Sequence, residues 1–580
     1  MRFNIRVIFV SVIVMAVGCA SVASEPTVTG DYLSGRLAAK KNAVDIAASA
    51  YGEAYAEAPD QVSILRSAFF YKLSAGDIEG AGPLAKKILE SEDGDDDGLA
   101  QITLAAISLK DGDAAAARTY LEGAYEAPFL KSAAYLTNAW VEDELAGSVA
   151  AIEKLNAAPD DMFKGFNPLH LALLFEKAGR TDEARTAHQV SVFGLGGPVG
   201  RIAFGAFLER TGDEAAAREY YKLIGRDGGS ARRASQAGMA RLDKGRVSRQ
   251  YAVVGAKEGA AIAFYSFGGA ILEQTVGERS RAEEAGFNVG APRYNLPLAL
   301  GQLAVYLDPT LYEAHNLVGQ IFNVYGDFEA AADSLRNIPS SAALFEQARI
   351  YIAGGLAARD ENGEAIKLLK DTLKRDERAV EAKFALANIY ASEEKHRIAV
   401  ELITEVIESF GDNLEEDAWR FYIARASSFI ELDRWTEAEM DLEAAVKIAP
   451  EEATTLNYLG YSWAERGVNL DKAFELIEKA VELQPSSGAI TDSLGWAYYQ
   501  RGEYAVAAPH LESAASMEPS DPTITDHLGD VYWRLGREIE AGYQWRRVLE
   551  LDPPDKLKKE VEKKLQGGLP DTSLDDDGDQ

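Results

Sequence analysis

The 580-residue chain carries 92 acidic against 60 basic residues, a formal net charge of −32. That balance excludes a general affinity for nucleic acid or anionic lipid, because phosphate binding needs concentrated Lys and Arg. A single cysteine excludes an internal disulfide framework and a cysteine-built zinc site.

The chain opens on Arg2 and Arg6, an apolar run over residues 7–17 and then small residues, the pattern of an export signal. The run is too short to span a bilayer comfortably. Its end, Ala16-Val17-Gly18-Cys19, resembles the bacterial lipoprotein signal, with alanine where leucine is usual. The resemblance implies a signal peptide over 1–18, lipidation at Cys19 and a tether over 19–30. Bacterial lipoproteins carry more than one acyl chain on that cysteine, enough for a stable anchor. Ala20 and Ser21, with no Asp, resemble the sequence of a lipoprotein sent to the outer membrane and facing the periplasm. Cleavage after Ser21-Val22-Ala23 is the alternative and would release a soluble periplasmic protein.

From Asp31 a periodic pattern begins. Gly35, Ala47, Tyr51, Ala54 and Pro59 hold the same relative spacing as Gly495, Ala507, Leu511, Ala514 and Pro519. A glycine five residues before an alanine recurs at Gly76/Ala81, Gly112/Ala117, Gly179/Ala184 and Gly212/Ala217. The spacing predicts degenerate helix pairs over 31–225, with an acidic Gly/Asp loop over 91–98. Residues 226–309 are less regular. Arg226, Arg232, Arg233, Arg241, Lys244, Arg246 and Arg249 place seven bases in 24 residues. They are a candidate docking patch for an acidic partner; the alternative is that they neutralise acidic helices packed beside them. An apolar helix is expected over 259–272 and a loop insertion over 274–297.

Over 310–452 the pattern strengthens. Gly319, Phe322, Gly326, Ala331 and Leu335 mark one unit; Leu386, Tyr390, Ala399 and Ile403 another; Phe429, Ala438, Leu442, Ala445 and Pro450 a third. Three clear repeats then fill 453–555. Leu459-Gly460, Leu494-Gly495 and Leu528-Gly529 recur at spacings of 35 and 34 residues, each followed by an aromatic residue (Trp463, Tyr498, Tyr532) and a glycine (Gly467, Gly502, Gly536). Ala473, Ala507 and Ala541 come next, then Ile477, Leu511 and Trp545, and a closing Pro485, Pro519 or Pro553. Leu557, Val561 and Leu565 among lysines and glutamates predict a polar capping helix over 556–566, and five aspartates over 567–580 a disordered acidic tail.

The pattern resembles the tetratricopeptide repeat (TPR), a helix-turn-helix unit of about 34 residues. The resemblance implies an all-α fold, a TPR-type helical-hairpin solenoid forming a right-handed superhelix, with room for roughly 12 to 15 helix pairs. Glycine in the first helix and alanine in the second let the pair approach closely, and the aromatic and large apolar residues fill the space around the crossing. A solenoid offers a concave surface lined chiefly by first helices. Transferring the groove-facing positions of the repeat selects Asn457, Tyr461 and Glu465; Asp492, Trp496, Tyr499 and Gln500; Asp526, Asp530, Trp533 and Arg534 as a protein-binding groove. Some of these aromatics could instead pack between neighbouring units.

No catalytic pattern emerges. There is no P-loop, the glycines at 194, 196, 197 and 200 do not fit the dinucleotide spacing, and no serine sits in a nucleophile elbow. The six histidines fall in different repeats, so no metal, cofactor or small-molecule substrate is expected. Lipidated start, repeats and terminal triplet together resemble bacterial TPR outer-membrane lipoproteins, some of which are adaptors for periplasmic carboxyl-terminal processing proteases. The implied function is a non-enzymatic, membrane-tethered scaffold joining a protease to cell-wall hydrolase substrates. The alternative is an assembly factor for a pilus or polysaccharide-export machine.

Overall fold

A computed structural model describes residues 28–91, 97–127, 130–157, 165–193, 197–226, 229–252, 254–284, 290, 292–411 and 417–570. The export signal, Cys19, most of the tether, most of the 91–98 loop and tail residues 571–580 lie outside the described residues.

Thirty α-helices and no strand occur among the described residues. In chain order they are α1 Val28–Lys40, α2 Val44–Glu57, α3 Val62–Ser74, α4 Ile78–Leu89, α5 Gly98–Asp111, α6 Ala114–Gly123, α7 Lys131–Ala146, α8 Ser148–Asn156, α9 Asn167–Lys177 and α10 Thr181–Ser191. Then follow α11 Gly197–Arg210, α12 Glu214–Ile224, α13 Gly229–Leu242, α14 Ala256–Glu284, α15 Asn295–Leu307, α16 Tyr312–Tyr325, α17 Phe328–Arg336, α18 Phe345–Ala358, α19 Asn362–Leu373 and α20 Val380–Ser392. The last ten are α21 His396–Phe410, α22 Trp419–Glu431, α23 Trp435–Ile448, α24 Ala453–Glu465, α25 Leu470–Leu483, α26 Gly488–Gln500, α27 Tyr504–Met517, α28 Pro522–Arg534, α29 Glu538–Glu550 and α30 Asp555–Gly567. The described residues form two compact units, one within 28–276 and 292–382, the other within 277–290 and 383–570.

The architecture is a helical-hairpin solenoid of the kind the repeats predict. Each hairpin is built on a close crossing. A Cβ added at Gly495 would lie 2.7 Å from Leu511, and at Gly529 2.6 Å from Trp545. The same glycine-to-bulky contact occurs at Gly35/Tyr51, Gly205/Tyr221, Gly319/Leu335 and Gly460/Ile477. Any side chain at these glycines would push the helices apart. The alanines that mark the register, from Ala47 and Ala81 to Ala507 and Ala541, are fully buried. Between the helices of a pair, Gly502 and Gly536 take positive φ of 77° and 74°, the left-handed closure that glycine adopts without strain. The first clear repeat is one residue longer because its turn also holds Asn469 in the left-handed region. In the first unit an aspartate directly after the turn glycine caps the second helix: Asp77, Asp113, Asp213 and Asp327 accept from backbone N–H groups three residues on, at 2.9–3.1 Å. Each such cap is worth about 1 kcal/mol.

Two features of the first unit depart from simple stacking. The segment from Gln274, expected as loop, begins helical, because α14 runs unbroken to Glu284. The first helices α3, α5 and α7, whose faces a solenoid would offer to a partner, are covered by α14 and α15. A Cβ at Gly259 would meet the fully buried Trp140 at 2.1 Å. Gln302 donates to Ser74 O (3.2 Å), Lys110 to Tyr306 O (2.6 Å), and Tyr306 to Glu79 (2.5 Å).

Candidate functional site

In the second unit the first helices of consecutive pairs, α22, α24, α26 and α28, keep an accessible inner face. Residues four apart on a helix share a side, so the triads 457/461/465, 492/496/500 and 526/530/534 each lie along one side of their helix. The inner face holds a cavity of about 830 Å3. Asn457, Tyr461, Glu465, Trp496, Asp526 and Asp530 line it, so six of the eleven expected residues are brought together there. Ser427, Glu431 and Trp435 from the preceding repeat and Leu557, Glu560 and Lys564 from α30 complete the wall.

The other five expected residues are placed differently. The Asp492 carboxylate is fully buried and accepts from His527 Nδ1 at 2.9 and 3.1 Å, serving as its counter-ion rather than facing a ligand. Trp533 packs 5.5 Å from Trp545 and against Gly568 and the leucines of the C-terminal helix. It fills the end of the array, as aromatics between neighbouring elements do. Arg534 donates to Tyr499 Oη (3.2 Å) and Pro570 O (2.7 Å), which ties both residues to the folded-back C-terminus. Gln500 is half-buried and outside the cavity wall.

The walls are stiff. The His527 ring stacks on Trp496 at 3.9 Å, and Trp496 stacks on Tyr499 at 4.5 Å, almost parallel. Burial draws the His527 pKa down, but Asp492, then Asp526 and Asp530, more than offset it and hold the ring above its ordinary value. Below this stack, the ammonium of Lys564 lies 2.7–2.9 Å from all four carboxylate oxygens of Asp526 and Asp530. Asp530 also accepts from Trp545 Nε1 at 2.9 Å. Burial, and then the neighbouring Asp530, pushes the Asp526 carboxyl up to about 6. Burial opposes the charge on Lys564, but the two aspartates raise its pKa overall. Tyr461 is driven well above the usual phenol range by burial and then by Glu465. Asn457 is 2% exposed and its Oδ1 has no hydrogen-bond partner.

Sequence reasoning missed Lys564 and His527. Lys564 is one of several lysines in a cap read as solvated, and only its place one turn after Val561 hinted at an inward side chain. His527 was read as one of six scattered histidines. Among the described residues no group of three or more His, Cys, Asp or Glu side chains is arranged to hold a metal ion, and no helix is long and apolar enough to cross a membrane.

The seven-base patch does not form one docking face. Arg241 pairs with Glu209 (2.6 Å), which is 2% exposed and also accepts from Tyr221 Oη and Ser248 N. Arg232 bonds Asp376 (2.9 Å) and Glu346 (3.4 Å), and Arg233 reaches Ser340 O and lies over the Phe345 ring. These three arginines neutralise buried acids and fill packing space between helices. Arg226, Lys244, Arg246 and Arg249 are exposed.

Residues 423–488 and 493–556 match the tetratricopeptide repeat family model, and in this stretch the chain carries tetratricopeptide repeats. A TPR repeat-containing protein of Pseudomonas aeruginosa is 41% identical over 75 residues, which is 13% of this chain and 13% of that protein. A BBSome complex member of Bos taurus is 30% identical over 117 residues, 20% of this chain and 21% of its own length. The chain thus spans well under a quarter of these curated relatives. Among solved structures, a tetratricopeptide repeat protein from Parabacteroides merdae aligns over 44% of this chain and 98% of its own, with 15% identity and a TM-score of 0.37. Yeast Tom70 aligns over 93% of this chain and 95% of its own, with 14% identity and a TM-score of 0.33.

Proposed function

We propose that the protein is a non-catalytic scaffold that grips a segment of a partner protein in the groove of α22, α24, α26 and α28. The observation that carries this reading is the cavity itself. Its volume falls within the roughly 300–1,000 Å3 of ligand sites, and its walls combine the aromatic faces of Trp435, Tyr461 and Trp496 with a larger set of polar and charged groups, which can orient a bound segment. The stacked Trp496 and Tyr499 are held before any partner arrives, so little ordering entropy opposes binding. In the first unit, by contrast, the first helices α3, α5 and α7 are covered by the chain's own α14 and α15.

We further propose a setting in the cell envelope, with the chain anchored through a lipid on Cys19 to the outer membrane and facing the periplasm. There it would couple a processing protease to cell-wall hydrolase substrates by raising their effective concentration. The lipobox-like start and the resemblance to adaptor lipoproteins support this finer reading. Crosslinked pull-down from membranes tests both levels. The native chain is expected to recover a protease with hydrolases; Trp496→Ala with Glu465→Lys should lower recovery at least tenfold with the helical spectrum intact. Undiminished recovery by that variant would rule out the groove. Recovery of secretin or polysaccharide-export subunits would favour the assembly-factor alternative. Cys19→Ala should shift the protein out of the membrane fraction.

A further inference from the structure

The terminal helix does two separate things. On one side, fully buried Val561 and half-buried Leu557 and Leu565 close the apolar end of the array against α28 and α29. On the other side, Lys564 reaches into the groove and meets Asp526 and Asp530. Closing the array accounts for the first side only. Two aspartates one turn apart on α28, with side chains 8% and 7% exposed, are costly to bury unless a cation sits between them. A cap could do without them, since replacing such a group by apolar residues is often neutral or stabilising.

A second observation points the same way. Asn457, another residue of the cavity wall, is buried with an unpartnered amide oxygen. The groove therefore presents a filled ammonium site and, separately, an acceptor that still lacks a donor. Trp496 Nε1 in the same wall is a buried donor without an acceptor, so the selection for a cationic segment comes from the Asp526–Asp530 pair, with Asn457 calling for one further donor and Trp496 for one acceptor.

We infer that the Asp526–Asp530 pair is a recognition site for a lysine side chain, that Lys564 occupies it in cis, and that a lysine-bearing segment of a partner protein takes its place by exchange with α30. This rests on the groove reading above and names what the groove accepts. The geometry favours lysine over arginine. A compact ammonium directs three rotatable donors to oxygens on two different carboxylates, whereas the planar guanidinium fork matches a single carboxylate. Exchange is feasible because α30 is short and only Val561 among its residues is buried; isolated helices of this length are marginal in water.

The test uses the full chain and, as probe, a labelled synthetic peptide of residues 553–570. Val561→Asp with Lys564→Ala releases α30. The peptide should bind the released chain at least tenfold more tightly than the native chain, whose site is already filled. A peptide carrying Lys564→Gln should lose at least tenfold on the released chain, and that discrimination should vanish when the chain also carries Asp526→Asn and Asp530→Asn. Equal binding of the Lys and Gln peptides, or equal binding to native and released chains, overturns the proposal. If Val561→Asp disturbs folding, Lys564→Ala alone serves: n-butylammonium should raise its melting temperature more than that of the native chain, and n-butanol should not. An equal response to both additives likewise overturns it. Failure of lysine exchange while Trp496→Ala with Glu465→Lys still abolishes partner recovery would remove the lysine site and leave the groove reading standing.

Discussion

The C-terminal repeats should lose stability as pH rises from 4 to 8, and within α28 two groups contribute to that slope. Asp526 has a folded-state pKa of about 6 against an ordinary 3.8, because burial and then Asp530 disfavour its charge more than Lys564 and His527 favour it. Between those values the folded state holds a proton that the unfolded chain has released, so stability falls as pH climbs through the window. At 1.36 kcal/mol per unit the full effect is about 3 kcal/mol, or about two powers of ten in the opening equilibrium. His527 has the same sign. Its pKa is raised above 6.5 by Asp492, Asp526 and Asp530 against the pull of burial, so its contribution is complete below 6.5 and is lost as pH rises through the folded value. Native-state hydrogen exchange of amides in Pro522–Arg534, corrected for intrinsic rates, reads this directly, since local opening has its own free energy. The native chain should lose up to about 100-fold in protection between pH 4 and pH 7. Asp526→Asn should flatten the slope between 4 and 6, and His527→Gln the slope above 6.5. Identical slopes in the native chain and both variants would refute the assignment.

Gly529→Val should destabilise the last hairpin by about 1–3 kcal/mol, because its Cβ would meet Trp545 at 2.6 Å and that ring is pinned by the bond to Asp530. A lower urea midpoint by tryptophan fluorescence checks it. Glu209→Ala should cost about 3 kcal/mol, near the low end for a broken buried pair since Arg241 keeps 31% of its side chain exposed. Urea denaturation followed by circular dichroism gives the value. Arg226→Glu with Arg249→Glu should stay within about 0.5 kcal/mol of the native chain in the same assay, as exposed surface changes do. Arg232→Glu should be clearly destabilising, because it sets a carboxylate against Glu346 and Asp376.

The hairpins were legible in the sequence because their determinants are local. The contact between Gly495 and Leu511, the closure at Gly502 and the buried Ala507 all lie within one repeat and reappear one period later. Gly205 went unread because its partner Tyr221 belongs to a repeat with a weaker signature, although the contact is the same. What covers α3, α5 and α7 was not legible. The contacts of Gly259 with Trp140 and of Gln302 with Ser74 join distant parts of the chain, and no period predicts which face of a long helix will be used. The groove was half legible. Helical spacing put Asn457, Tyr461 and Trp496 on one side of their helices, and all three line the cavity, but it did not show that Trp533, at the position of Tyr499 one repeat on, is covered by the C-terminal helix.

The difference between the repeat that carries Trp496 and the next one, where Asp530 stands at the equivalent position and Trp533 at that of Tyr499, bears on how a repeat array becomes specific. Each repeat contributes the same face, so the repeats alone would offer a uniform surface. Asymmetry enters where the array ends. Trp533 is taken up by the terminal helix, and the aspartates beside it are matched by Lys564, while Trp496, one repeat earlier, stacks on His527 and keeps an edge toward the cavity. In the groove proposed above, the binding position would then be set by the distance from the cap as much as by any single repeat. A chain with one extra copy of residues 486–519 inserted after 519 would keep the cap chemistry and move Trp496 one repeat further from Lys564. If the cap sets the position, the partner should then contact the inserted repeat's tryptophan, and crosslinks should follow that residue. Crosslinks that stay on the original Trp496 would assign the specificity to that repeat itself.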